Sequence, residues 1–122
     1  MNLIILCSIM ASKRTLKTTL KREFFDAIHR GEKTEEYRDL SKYWISRLLV
    51  KEPDGSYSGD KFREYDTILF RNGYNPDSPI MEVEFKGVVI LEYMDVPEDA
   101  FERFGFAIKL GKVLRVENYE GT

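Results

Sequence analysis

The pattern that most constrains this fold is a pair of apolar strands joined by a turn in the second half of the chain. Tyr65–Arg71 predicts one strand, and Ile80–Tyr93 predicts a longer one. Asn72-Gly73 favours a hairpin between them, because this dipeptide readily adopts positive φ angles. In the longer strand, inner apolar residues alternate with outer charged ones: Met81, Val83 and Phe85 against Glu82, Glu84 and Lys86. Gly87 interrupts that alternation, which indicates a bulge or a bend.

Shorter elements surround this pair. Strands are predicted around Thr15–Leu20, Thr34–Arg38, Phe106–Leu110 and Val113–Val116, and short helices at Lys21–Arg30, Asp39–Leu49 and Asp95–Arg103. In the first helix, Phe24 and Ile28 fall on one face, and Asp95 with Glu98 has capping-box spacing. About six strands with two or three short helices predict an α+β or mainly β fold, a small β-barrel.

Composition excludes several kinds of function. The chain of 122 residues has room for one domain, and its net charge is −2. A protein that grips long duplexes by bulk charge is normally basic, so any nucleic-acid binding here would depend on a local patch. One cysteine and one histidine cannot form a tetrahedral zinc site or a disulfide within the chain. We therefore expect no metal, no cofactor and a reducing, cytoplasmic setting.

Residues 1–12 are predicted to form an apolar N-terminal extension or extra strand before a domain at 13–122. Met1 to Ala11 is shorter than the roughly 20 residues that span a bilayer. No positively charged segment precedes it, as a signal peptide requires. We therefore expect no membrane partner.

The charged segment Gly31–Arg38 is the first candidate for a functional site. Gly31 stands where the first helix ends, a position that favours positive φ. On the strand that follows, Glu36 and Arg38 project from one face, with Lys33 near enough to reach them. Enclosing an ammonium, a carboxylate and a guanidinium costs hydration, as is typical of binding and catalytic sites. The alternative is three solvated charges on an exposed strand.

Other candidate site residues lie on both sides of this segment. Lys17 and Arg22 belong to a basic stretch that has no acid between residues 12 and 22, and they are candidates for phosphate contacts. Tyr43 is the better candidate for stacking on a base, because the single tryptophan, Trp44, is expected in the core. Arg71 and Asn72 lie at a strand end, where functional groups often gather. The alternative for the basic stretch is a solvated surface.

Gly31-x-Lys33-x-x-Glu36-x-Arg38 resembles the GxKxxExR signature of the ASCH domain family, small β-barrels of the PUA-like superfamily. All four positions match, the flanking elements follow that family's order, and Phe106–Gly111 is similar to its closing strand. The resemblance spans roughly residues 15–117. It implies binding of RNA or of a nucleotide or nucleoside, with Lys33 and Arg38 contacting phosphate or a base edge. Glu36 would orient Arg38 or accept a hydrogen bond from a base amine.

Two alternatives remain. Some ASCH relatives resemble small hydrolases of N4-acylcytidines, and others are described as nucleases acting on RNA. In such an enzyme Lys33 would act as base or nucleophile and Glu36 as its proton partner. The hydrolase branch has a hydroxyl residue where this chain has Glu36, a departure from that branch's pattern. The second alternative is a non-catalytic regulatory or protein-interaction domain.

Overall fold

The computed structural model describes residues 13–97 and 99–120. Of the described residues, 48% lie in strands and two segments form α-helices, so the protein is mainly β. The strands are β1 Thr15–Thr19, β2 Glu35–Asp39, β3 Leu49–Lys51, β4 Tyr57–Phe62, β5 Thr67–Arg71, β6 Ile80–Glu92 and β7 Phe104–Glu117. The helices are α1 Arg22–His29 and α2 Lys42–Leu48, and a single 3₁₀ turn occupies Phe101–Arg103.

Five of the strands form one sheet in the order β1-β5-β6-β7-β2. β1 runs parallel to β5, and the other neighbours in this sheet are antiparallel. β3 and β4 form a separate two-stranded hairpin. The main sheet curls into a half-barrel, which confirms the prediction of a small, mainly β, barrel-like fold.

Two long strands, β6 and β7, form the spine of this sheet. They pair from Ile80 with Glu117 to Glu92 with Phe104, and their register shifts between Glu82 and Gly87. Gly87 has a φ of 122°, in the region that favours glycine. Of the two features that the sequence indicates at Gly87, a bulge or a bend, the register shift before this residue shows the bulge.

Helix α1 ends in a Schellman turn. Gly31 has a φ of 79°, and its N–H donates to the carbonyl of Ile28 at 3.0 Å. The N–H of Glu32 donates to the carbonyl of Ala27 at 2.9 Å, which completes the motif. One detail of the helix differs from expectation. Phe25 is buried with Ile28, whereas Phe24 is 38% exposed, because adjacent aromatic residues both fit the helical spacing and packing selects one.

Ser41 caps the N-terminus of helix α2, because its Oγ accepts a hydrogen bond from the N–H of Trp44. Trp44 and Leu48 are buried on one face, and Trp44 lies in the core, as predicted. They join residues from α1 and the main sheet in a single core, whose largest fully buried side chains are Phe25, Phe70, Phe106, Leu48, Ile68, Met81, Ile108 and Val83.

The prediction that Glu82 is exposed on the outer face of β6 is wrong. Glu82 is only 3% exposed, although it lies on the face opposite to the fully buried Met81 and Val83. Its carboxylate accepts hydrogen bonds from Thr67 Oγ1 at 2.7 Å and Arg115 Nε at 3.0 Å, and Lys13 Nζ lies 2.8 Å away. Alternation predicts which face of a strand a side chain projects from, but it does not predict that face's exposure. Here the long side chains of Lys13 and Arg115 cover Glu82 on the outer face.

The helix expected over Asp95–Arg103 is also not formed. The described part of this segment contains turns and the 3₁₀ turn, and Glu98 lies outside the described residues. The guanidinium of Arg103 pairs with Glu92 on β6 and donates to the carbonyl of Val96, so it connects the two ends of this segment.

Residues 1–12, predicted as an extension or extra strand, lie outside the described residues. Among the residues that are described, no helix is long and apolar enough to cross a membrane.

Candidate functional site

Lys33, Glu36 and Arg38 converge at the end of the turn after α1. The Schellman turn directs the chain into β2, where alternation places Glu36 and Arg38 on one face. Glu36 Oε1 lies 3.3 Å from Lys33 Nζ, and Glu36 Oε2 lies 2.8 Å from Arg38 Nη2. The carboxylate therefore stands between two cations.

Burial separates this cluster from an ordinary surface ion pair. The side chain of Glu36 is 4% exposed, and those of Lys33 and Arg38 are 17% and 21% exposed. A buried carboxylate is tolerated when opposite charges and hydrogen bonds replace its lost hydration. Lys33 Nζ also lies 4.8 Å from the ring centre of Tyr37 and 5.2 Å from that of Phe24, where cation–π attraction helps to hold it.

The opposite face of β2 has its own pairing. Glu35 forms an ion pair with Lys109 and accepts a hydrogen bond from the hydroxyl of Tyr37 at 2.7 Å. The Lys109 ammonium, and then the Tyr37 hydroxyl, lower the pKa of Glu35. Glu35 thus has direct partners of its own, whereas Glu36 is the carboxylate that contacts both Lys33 and Arg38.

Arg38 connects the buried cluster to the surface. Its Nη2 donates to the backbone carbonyl of Thr19 at 3.0 Å, and its guanidinium lies 5.2 Å from the ring centre of Trp44. Its Nε is buried without a hydrogen-bond partner among the described residues. Unpaired buried donors are uncommon in folded proteins and call for an explanation such as a functional demand.

A pocket of about 570 Å³ opens beside Arg38, and we refer to it as the cationic pocket. It lies along the edge of β1, between that strand and the start of α2. Its lining residues are Lys17, Thr18, Thr19, Arg38, Tyr43, Trp44, Leu69 and Arg71. Three of these side chains are cationic, and none is a carboxylate. In a chain of net charge −2, such a lining favours an anionic ligand.

Tyr43 provides the open aromatic surface of the cationic pocket. It is 50% exposed, whereas Trp44 is 8% exposed. The two rings meet edge to face at 5.2 Å, and the Arg47 guanidinium lies 4.6 Å from the Tyr43 ring centre. Tyr43 is thus fixed from two sides and still offers area to a planar ligand.

A second hollow of about 600 Å³ shares Thr19 and Arg38 with the first. We refer to it as the Asn72 pocket. Its lining residues are Thr19, Leu20, Lys21, Phe24, Arg38, Asn72, Gly73 and Tyr74. The amide nitrogen of Asn72 donates to the carbonyl of Leu20 at 2.8 Å, which fixes this side chain at the end of β5.

The structure distributes the predicted site residues as follows. Four of them line the cationic pocket: Lys17, Arg38, Tyr43 and Arg71. Asn72 lines the second pocket, whereas Lys33 and Glu36 lie behind Arg38 and line neither. Arg22 lies at a different hollow, where it pairs with Asp26 at 2.9 Å and donates to the carbonyl of Glu120.

The basic stretch is therefore divided among several surfaces. Lys17 and Lys21 line the two pockets, whereas Lys13 pairs with Glu82 and Arg14 donates its backbone N–H to Asp66. Sequence reasoning did not single out Thr19 or Tyr74. Thr19 contacts Arg38 through its backbone carbonyl, which leaves no signal in the sequence. Tyr74 could have been identified, because it directly follows the predicted turn at Asn72-Gly73.

Among the described residues, no group of three or more histidine, cysteine, aspartate or glutamate side chains is arranged to hold a metal ion.

Residues 67–116 match the family described as the KTSC domain. This match covers β5, β6 and nearly all of β7, which is less than half of the chain, and it does not include Gly31–Arg38. No curated protein and no solved structure matches the chain. The chain is thus similar to the KTSC domain over its central antiparallel strands.

Proposed function

We propose that this protein binds a nucleotide or a nucleotide unit of RNA in the cationic pocket. The observation that carries the proposal is the lining of that pocket, which combines three cations, no carboxylate and one half-exposed tyrosine ring. Phosphate and a base are the two parts of a nucleotide that such a lining can recognise. A volume of about 570 Å³ is within the usual range for small-ligand sites.

Each residue has a distinct role in this proposal. Arg38 contacts phosphate with a guanidinium whose orientation Glu36 fixes from behind at 2.8 Å. Lys17 and Arg71 supply further positive charge at the pocket wall, and Tyr43 stacks on the base. Lys33 balances the second oxygen of Glu36, so its contribution is to hold the cluster together.

We also propose that the chain is of the ASCH type. The support lies in the positive φ of Gly31 and in the convergence of Lys33, Glu36 and Arg38, the four positions of the resemblance. The KTSC match concerns a different part of the chain. A cytoplasmic location is part of the same proposal, and the single cysteine supports it.

The geometry favours binding over hydrolysis. As base or nucleophile, Lys33 would need an amine that faces the ligand, but its amine faces Glu36 at 3.3 Å. Neither residue lines the cationic pocket. Turnover of N4-acetylcytidine or of single-stranded RNA by the wild type, lost in Lys33→Ala, would reverse this preference.

Calorimetric titration with nucleosides, 5′-mononucleotides and short RNAs tests the proposal. We expect mononucleotides to bind at least about tenfold more tightly than nucleosides at low salt, since charge-assisted hydrogen bonds to phosphate are worth about 1.5–3 kcal/mol. Lys17→Ala should weaken mononucleotide binding. Lys61→Ala, a lysine on β4 outside the pocket lining, is the control. Absence of binding to every nucleotide and RNA, or equal effects of the two variants, would overturn the proposal.

A further inference from the structure

The cationic pocket and the Asn72 pocket meet at Arg38. Both are lined by Thr19 and Arg38, and their volumes are similar, about 570 and 600 Å³. We propose that together they form one groove for a single-stranded polynucleotide, with at least one nucleotide on each side of the guanidinium. This inference rests on the proposed function and deepens it, because it replaces a single nucleotide by a strand.

Charge supports a continuous path for a phosphate backbone. Lys21 adds a fourth cation at the far side of Arg38, and within the described part of the chain no aspartate or glutamate lines either pocket. Arg38 stands at the junction, where the phosphate that links two neighbouring nucleotides would lie. A row of cations that follows the backbone is the usual electrostatic design of single-strand binding proteins.

An exposed aromatic ring stands in each pocket. Tyr43 is 50% exposed in the first pocket, and Tyr74 is 88% exposed in the second. Phe24, 38% exposed, forms another part of the second wall. Each ring offers a face for one base, and stacking of this kind tolerates any base because every base has a π-face.

Asn72 gives the second pocket a fixed polar group. Its amide nitrogen is used by the carbonyl of Leu20. The amide oxygen has no hydrogen-bond partner among the described residues, so it is an acceptor for a base amine. A base on Tyr74 would thus meet both a stacking surface and an oriented acceptor.

The groove suits a single strand and not a duplex. Two bases that stack on separate tyrosines must be unpaired and splayed apart, which a duplex does not allow. The net charge of −2 also disfavours a protein that binds a long duplex by bulk attraction.

The test compares 5′-mononucleotides with 5′-phosphorylated dinucleotides of the same base, as ribo and deoxy forms, by calorimetric titration of the full chain. We expect the dinucleotide to bind about tenfold or more tightly than the mononucleotide, from one added stacking contact and one added phosphate. Tyr74→Ala should remove this gain. Tyr74→Phe should keep it, because the phenylalanine ring still stacks.

The Tyr74 side chain is almost fully exposed, so we expect both Tyr74 variants to fold like the wild type. Tyr57→Ala is the matched control, since Tyr57 is 40% exposed on the separate β3–β4 hairpin. Tighter binding of the ribo form would indicate contacts to the 2′-hydroxyl, and equal binding would indicate a groove for either strand; both support the inference.

Two outcomes would overturn the groove and leave the proposed function standing. One is equal affinity for mononucleotides and dinucleotides, and the other is a Tyr74→Ala variant that behaves like Tyr57→Ala. If neither mononucleotides nor dinucleotides bind, the proposed function itself fails.

Discussion

Arg38 Nη2 donates a hydrogen bond of 3.0 Å to the backbone carbonyl of Thr19 and thereby joins the two edge strands of one curled sheet. The parallel pairing of β1 with β5 directs the backbone groups of even-numbered residues toward β5. The bonds from Thr67 N to Arg14 O and from Leu20 N to Arg71 O show this at the two ends of β1. The carbonyl of Thr19 therefore points away from the sheet. A side chain, in place of a neighbouring strand, satisfies it.

Arg38→Lys should destabilise the fold, although it keeps the charge. Both contacts are made by Nη2, and the shorter lysine side chain does not bring its ammonium to that point or reproduce the contact of the guanidinium with the Trp44 ring. We expect the free energy of unfolding to fall by about 1–3 kcal/mol, measured by urea denaturation. Arg63→Lys is the control, because Arg63 makes one exposed bond to the carbonyl of Ser46. Equal losses in the two variants would contradict a bridging role for Arg38.

Gly31→Ala should destabilise the protein by about 1 kcal/mol. The φ of 79° strains any residue with a Cβ, yet a Cβ at this position meets no other atom within 4 Å. The cost is therefore conformational and not steric. Gly31→Asn, which tolerates this region better, should lose clearly less in the same thermal denaturation experiment. If alanine and asparagine cost the same, the positive φ is not what selects glycine here.

Lys17→Ala and Arg71→Ala should each reduce the salt dependence of RNA binding. Removal of one phosphate-contacting cation lowers the slope of log K against log salt by about 0.7–1. Arg22→Ala should leave the slope unchanged, because Arg22 belongs to a separate hollow with Asp26 and the carbonyl of Glu120. Fluorescence anisotropy with a labelled oligonucleotide over a range of salt concentrations measures this. A reduced slope for Arg22→Ala would move the binding surface toward α1.

Tyr43→Ala should weaken binding of base-containing ligands by about 1–3 kcal/mol, whereas Tyr43→Phe should have little effect. The ring, held by Trp44 and Arg47, supplies the stacking surface of the cationic pocket. Inorganic pyrophosphate, which has no base, is an informative control ligand. Its binding should not change in Tyr43→Ala, and a matching loss would mean that the tyrosine shapes the phosphate site instead.

Glu82 should make stability dependent on pH in the acid range. Hydrogen bonds from Lys13, then Thr67 and Arg115, lower its pKa from 4.5 to about 2. A carboxyl with a lowered folded-state pKa stabilises the fold fully above about pH 4.5, and this contribution is lost as the pH falls toward 2. The shift corresponds to at most about 3 kcal/mol, and less in practice because Lys13 and Arg115 are half exposed.

Urea denaturation at about pH 7 and pH 3 measures this contribution. Glu82→Gln should be less stable than the wild type at pH 7 and should lose less on acidification, because the group that titrates is gone. Glu64→Gln is the control, since the side chain of Glu64 is 84% exposed. If Glu82→Gln loses as much free energy of unfolding between pH 7 and pH 3 as the wild type does, other carboxylates cause the acid sensitivity.

Local sequence patterns predicted the parts of this molecule that local physics decides. The position after α1 that favours positive φ, and the two-residue alternation of β2, were sufficient to bring Lys33, Glu36 and Arg38 together. The hairpin of β5 and β6 followed from apolar runs on either side of Asn72-Gly73.

The remainder depended on contacts that alternation cannot encode. Glu82 is covered by Lys13 and Arg115, which come from distant parts of the chain. The parallel pairing of β1 with β5 is non-local, and it places Lys17 beside Arg38 while Arg22 faces another surface. Strand order and the division of a basic run between surfaces are properties of the assembled fold.

The irregular pairing around Gly87 has a consequence far from that residue. β5 pairs with β6 at residues 80–84, and β2 pairs with β7 at residues 105–109, so each edge of the sheet is attached to a different half of the long hairpin. Within the described sheet, backbone hydrogen bonds connect these halves only along β6 and β7, where Gly87 lies. Helix α1 and the Arg38–Thr19 hydrogen bond also join β1 to β2, so the backbone geometry at Gly87 adds to these constraints on the distance between Lys17 and Arg38.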